Sequence, residues 1–131
     1  MNTEITYLVY VTLMTALLWI PYITNMILTI GVKEAVGYNQ NPNSMAPWAR
    51  RMKAAHYNAI ENLAVFATLV LVANAMGISG RAIEMSSVVY FWARVAHVIS
   101  YTLAIPWTRT LSFVVGFGSQ ICIAWQILAG L

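Results

Sequence analysis

Apolar positions along the chain fall into four long blocks, about Ile5–Ile30, Met52–Met76, Ala82–Ile105 and Thr108–Leu131. A helix needs on the order of 20 apolar residues to cross a ~30 Å hydrocarbon core, and each block reaches that length. The pattern predicts an all-α integral membrane four-helix bundle, with residues 1–131 forming one domain. Pro21 is expected to kink the first helix or loosen its last turns. Between the first two blocks, Gly31 to Pro47 holds Gly37, Asn39, Asn41, Pro42 and Asn43 and reads as a turn-rich loop. Trp48 follows where an aromatic anchor would mark the membrane interface. The second connection, near Gly77–Gly80, is short, and Pro106 makes the third a tight turn. Residues 1–4 contain Glu4 and no Lys or Arg, so the first block does not read as a cleavable signal peptide.

Composition agrees with the pattern. Hydrophobic residues make up 60% of the chain and charged ones 8%, against roughly 25% charged in soluble domains. Too few charges remain to cover a globular surface in water. The net charge of +3 is small and scattered, which argues against nucleic-acid binding. A single cysteine, Cys122, excludes an intrachain disulfide and reads as a packing residue on an apolar helix. With four crossings, the first and third loops share a side and carry Lys33, Arg50, Arg51, Lys53 and Arg109 against Glu34. The other side has Arg81 with Glu4 and Glu84. Positive-inside bias then puts loops one and three in the cytoplasm and both termini outside.

The polar residues inside the blocks are ordered by helical period. On the second helix Arg51, Ala54, Asn58, Glu61 and Asn62 share an arc of about 100°, while Lys53 and His56 point elsewhere. On the third, Tyr90, Arg94, His97 and Tyr101 follow i, i+4, i+7, i+11 and fall within about 60°. An arginine this deep cannot face lipid without a cost of ~2.5 kcal/mol or more. Glu61 is the carboxylate at comparable depth, so an Arg94–Glu61 pair is expected, with Asn58 or Asn62 satisfying what is left over. Such a pair serves either as a clamp between helices or as a clamp that also shapes a ligand site. The fourth helix aligns Ser112, Phe113, Gly116 and Gln120 on the Arg109 side, and Ser112 and Gly116 would let a neighbouring helix approach closely. Arg109 itself reads either as a cation snorkelling to the interface or as part of a site.

Together these faces outline a cationic, tyrosine-lined cleft open to the cytoplasm, walled by Arg51, Asn58, Glu61, Arg94, His97, Tyr101 and Arg109. It suits a small anionic ligand with several hydrogen-bonding groups. The two histidines lie on different helices with no carboxylate at i, i+4, so no metal is expected. No phosphate-cradling glycine loop is present either. A small multidrug exporter of this size would need an acid within its first helix, and Ile5–Ile30 has none.

The run AHYNAIENLAVF, with Arg51 before it, resembles the second-helix signature R-x-x-R-A-H-x-N-x-x-E-N-x-x-P-F of the MAPEG family, the membrane-associated proteins in eicosanoid and glutathione metabolism. RVAHVISY on the third helix and an arginine after the next tight turn extend the resemblance, which is to a bacterial-type member. It implies a homotrimer in a membrane, the bacterial inner membrane by that likeness, with glutathione as co-substrate bound between protomers near the cytoplasmic face. Hydrophobic electrophiles or lipid peroxides would arrive from the lipid. By the same resemblance, Arg51, His56, Asn58, Glu61, Arg94, His97 and Tyr101 would bind or support glutathione, and Arg109 would be the catalytic residue that stabilises its thiolate. Ala54 stands where the family usually has arginine, Tyr57 where some members have arginine, Val65 at the motif proline, and Phe113 where some members have tyrosine. The alternative is a trimeric membrane protein that keeps the scaffold without catalysis.

Overall fold

The computed structural model describes residues 2–131, and among them every regular element is a helix. The first block forms α1 (Thr3–Leu17) and α2 (Trp19–Ile30). The break at Leu18 follows from Pro21. Proline offers no N–H to the carbonyl four residues back and its ring crowds that carbonyl, so the chain steps out of register there. Leu18 N–H instead makes a long 3.4 Å bond to Thr15 O. At its start α1 is capped by Asn2, whose Oδ1 accepts from Ile5 N–H at 3.1 Å.

The long loop is not wholly irregular. Five residues, α3 (Val32–Val36), make a short helix bounded by Gly31 and Gly37. Beyond it the loop is latched at both flanks: Asn25 Oδ1 accepts from Ala46 N–H at 2.8 Å, and Arg50 Nη1 donates to Pro42 O at 2.6 Å.

Three long helices complete the chain: α4 (Pro47–Ala75), α5 (Arg81–Thr102) and α6 (Pro106–Ala129). Both α4 and α6 begin on a proline in the first turn, where the missing N–H has no helical acceptor to lose. The helices α4 and α5 end alike, and their last bonds explain how. Ile78 N–H reaches back to Ala73 O across Gly77, and Ile105 N–H reaches back to Ser100 O across Ala104. Each is a cap that requires a left-handed residue. Gly77 meets this at φ +69°, but Ala104 does so at φ +60° despite its Cβ.

Asn2 Nδ2 bonds Asn74 Oδ1, and Gly130 packs beside Ile78, so both chain ends share one end of the bundle with the α4–α5 turn. The long loop and the α5–α6 turn lie at the other end. Between them, α1 packs on α4 and α5, α5 packs most closely on α6, and α2 leans on α4. The larger core, near the end holding the termini, joins Leu8, Val11, Phe66, Val70, Ile83 and Ile123. A leaner one at the other end holds Leu18, Ala55, Ala59 and Val98. Large apolar side chains such as Leu13, Trp92, Ile99, Phe117 and Trp125 point outward, as they do where the surrounding solvent is lipid.

The segments Thr3–Ile30, Pro47–Ala75 and Pro106–Ala129 are long and apolar enough to cross a membrane. The third expected span is not in that group. Its helix α5 has 22 residues, about 33 Å at 1.5 Å per residue, but it carries Arg81, Glu84, Arg94, His97 and a series of serines. Arg94, His97, Ser86, Ser87 and Ser100 are all buried inside the bundle. Its polarity is therefore directed at other helices.

Candidate functional site

The helical period of α5 survives intact in three dimensions. Tyr90, Arg94 and His97 are 1%, 1% and 3% exposed, and Tyr101 is half-buried one turn further on. The stripe faces α4 and α6. Tyr90 stacks on Phe66 with ring centroids 3.9 Å apart. Gly116 on α6 makes room for this layer, since a Cβ there would touch the Arg94 Cδ and the Tyr90 ring at 3.8 Å.

Arg94 does not pair with Glu61. Its Nη2 donates to Asn58 Oδ1 at 2.7 Å, its Nε is buried without a partner among the described residues, and Glu61 lies exposed. The helical rotation explains the difference. Asn62 is four residues after Asn58 and stays within about 40° of it, whereas Glu61, at three, turns about 60° the other way. The two amides thus share the inward edge of the arc and the acid takes its outer edge. Asn62 Nδ2 donates to Asn58 O at 2.9 Å, and Gln120 Nε2 on α6 donates to Asn62 O at 3.1 Å. A polar chain consequently links α5, α4 and α6 through Arg94, Asn58, Asn62 and Gln120, with no carboxylate in it. A buried cation held only by neutral groups retains most of its desolvation cost.

Between this polar network and the α5–α6 turn opens a cleft of about 320 Å³ lined by Asn58, His97, Tyr101, Arg109, Thr110 and Phe113. Three helices contribute, and no acidic side chain lines it. Because Asn58 Oδ1 is occupied by Arg94, the amide is fixed with its Nδ2 as the group left to donate. His97 Nδ1 is buried with no hydrogen-bond partner among the described residues. Its ring lies edge-on to Tyr101 at 5.7 Å and tilted to Phe113 at 6.1 Å. Arg109 is exposed at the first turn of α6, but its guanidinium rests over the Tyr101 ring at 5.1 Å. That cation–π contact gives a surface arginine a preferred place at the cleft mouth.

Not every residue expected in the cleft, or implied by the family resemblance for the glutathione site, lines it. His56 is 8% exposed and on the opposite side of α4, where its Nδ1 lies 2.7 Å from Tyr22 Oη of α2. It fastens the lower half of the first span. Arg51 shares the cleft's face of α4 but lies two turns below, with Nε donating to Thr102 O at 3.0 Å. It lines a separate recess with Tyr101 and Arg109. Glu61 is outside the cleft of this chain. Conversely, Thr110, next to Arg109 on α6, lines the cleft without having been among the expected residues. Tyr22 could not be found from sequence, because nothing local fixes how α2 registers against α4.

The site is thus a pocket of hydrogen-bond donors and fixed positive charge at one end of a helical bundle, open on one side. No curated protein matches the chain. The family model for MAPEG matches residues 7–129, nearly the full length. By that match the chain belongs to the MAPEG family, and it is a membrane protein related to glutathione and eicosanoid metabolism.

Proposed function

We propose that the protein is a glutathione-dependent membrane enzyme of transferase or peroxidase type, acting on hydrophobic electrophiles or lipid peroxides. The observation that carries this reading is the uncompensated Arg94. A fully buried guanidinium, an arginine at the mouth and a cleft lined by donors leave a place for negative charge that no side chain of the cleft fills. Glutathione brings two carboxylates and a thiol that becomes anionic, and its peptide groups match the donors of Asn58, His97, Tyr101 and Thr110. The residues present therefore fit it, although Ala54 and Tyr57 offer fewer cations than the family motif.

Glutathione supplies the nucleophilic sulfur. Arg109 lowers the pKa of that thiol, since a nearby cation favours its charged form. The Tyr101 ring holds Arg109 in position, and Arg94 acts through Asn58 to orient the donor that meets the ligand. The second substrate, being apolar, enters from the lipid side. In this reading α5 also crosses the membrane, making four spans in all, loops one and three face the cytoplasm, and three protomers close the open side of the cleft. Exposed Glu61 and Tyr57 would then meet a neighbouring copy.

The test is titration of the detergent-purified protein with glutathione, followed by ultraviolet difference absorbance for thiolate. A saturable thiolate signal that disappears in Arg109→Ala supports the enzyme. A protein that binds no glutathione is the non-catalytic scaffold instead, its Arg94–Asn58–Asn62–Gln120 chain serving helix packing alone.

A further inference from the structure

We propose that the recess below the cleft is a second anion site, and that it takes the phosphoryl headgroup of an anionic membrane phospholipid. The recess has a volume of about 170 Å³ at the α5–α6 turn. Arg51 and Arg109 line it together with Tyr101, and the backbone corner of Ala104, Ile105 and Pro106 forms the rest.

Three features point to a phosphoryl group. Arg51 is anchored by its Nε on Thr102 O, and its two terminal nitrogens make no hydrogen bond among the described residues. The guanidinium is thus held in place with its outer edge unused. Arg109 is likewise held, over Tyr101, from the other side. No acidic residue lines the recess, so two like charges share one small space. Guanidinium forks match phosphate oxygens in pairs, and an anion between them would convert repulsion into two charge-assisted contacts.

Depth and lining favour a lipid as its source. Trp107, 79% exposed, adjoins Pro106, and Trp48, 38% exposed, opens α4 at the same end. Exposed tryptophans at helix ends mark headgroup level in membrane proteins. Ile105 and Pro106 give the recess an apolar wall, and exposed Leu103 lies in the same turn. A free anion has no use for such a wall, but acyl chains do. Arg109 borders both the recess and the cleft, so a headgroup bound here would contact the same guanidinium that faces the cleft.

The experiment uses the full chain in a neutral detergent, with tryptophan fluorescence and native mass spectrometry as readouts. Dioctanoyl phosphatidylglycerol, dioctanoyl phosphatidylcholine and inorganic phosphate are titrated separately. Phosphatidylglycerol is expected to bind saturably, about tenfold more tightly than phosphatidylcholine, and Arg51→Gln should weaken it about tenfold. Arg51→Lys, which keeps the charge and loses the fork, should fall between the two. Arg81→Gln, at the far end of the bundle, should bind like the parent. Circular dichroism checks that each variant is folded. Inorganic phosphate binding as tightly as phosphatidylglycerol, and with the same dependence on Arg51, would overturn the lipid source and leave a free-anion site. No saturable binding by the parent protein, or equal binding by folded Arg51→Gln, would overturn the site itself.

Discussion

Arg94 Nη2 donates to Asn58 Oδ1 at 2.7 Å, and this contact between α5 and α4 replaces an ion pair. A hydrogen bond to a charged group is worth roughly 1.5–3 kcal/mol, and losing the acceptor also leaves the cation unsatisfied. Asn58→Ala should therefore destabilise the folded protein by about 2–3 kcal/mol. Glu61→Gln, at an exposed position, should change the single chain's stability by less than ~0.5 kcal/mol. Denaturant or thermal unfolding in detergent distinguishes the two, and a larger effect at Glu61 would restore the expected acid–guanidinium pair.

Asn58→Asp tests the electrostatics from the other direction. The new carboxylate would sit against Arg94 and supply the missing negative charge, so folding is retained. An anionic ligand would then meet a neutralised site. Glutathione affinity should drop by about tenfold or more, given that a like charge within a few ångströms is strongly unfavourable in a low-dielectric pocket. Isothermal titration calorimetry on both proteins checks this.

Tyr22→Phe removes the bond to His56 and strands a buried imidazole nitrogen, which should cost about 1–3 kcal/mol. Because His56 faces away from the cleft, glutathione affinity of the folded variant should be unchanged. A selective loss of binding with normal stability would return His56 to the site.

Gly116 tests how tightly α6 seats against the Arg94–Tyr90 layer. Alanine there meets its neighbours at an ordinary 3.8 Å, and glycine in a helix interior costs roughly 0.5–1 kcal/mol relative to alanine. Gly116→Ala should therefore raise the melting temperature slightly. Gly116→Leu should lower it, since overpacking of this kind costs about 1–3 kcal/mol.

The two similar helix ends give a matched pair. Ala104→Gly relieves a left-handed alanine and should stabilise by about 1 kcal/mol, while Gly77→Ala introduces the same strain and should destabilise by a similar amount. Thermal melts of the two variants should shift in opposite directions.

What could be read from the chain depended on whether one helix was enough to decide it. The α5 stripe of Tyr90, Arg94, His97 and Tyr101 needs only the helical period, and it is in place. Pro21 acts on the carbonyl four residues back in the same helix, and the break appears at Leu18. Arg94's partner depends on the rotation of α4 relative to α5, and within a broad arc the sequence does not say whether an amide or an acid faces inward. Charge favoured Glu61, while packing selected Asn58. His56 and Tyr22 meet through a register between α2 and α4 that no local signal encodes. Arg51 lies on the same face of α4 as Asn58, but its depth along α4 assigns it to a different recess.

The polarity of α5 also bears on how the chain is made. In the proposed four-crossing topology this segment holds two arginines, a glutamate, a histidine and three serines, and a nascent helix entering the bilayer alone would present Arg94, His97 and the serines to lipid. Its turn into α6 is only three residues, 103–105, and these two helices pack most closely of all. Biogenesis would then deliver α5 and α6 to the insertion machinery as a hairpin, the more apolar arm carrying the other in.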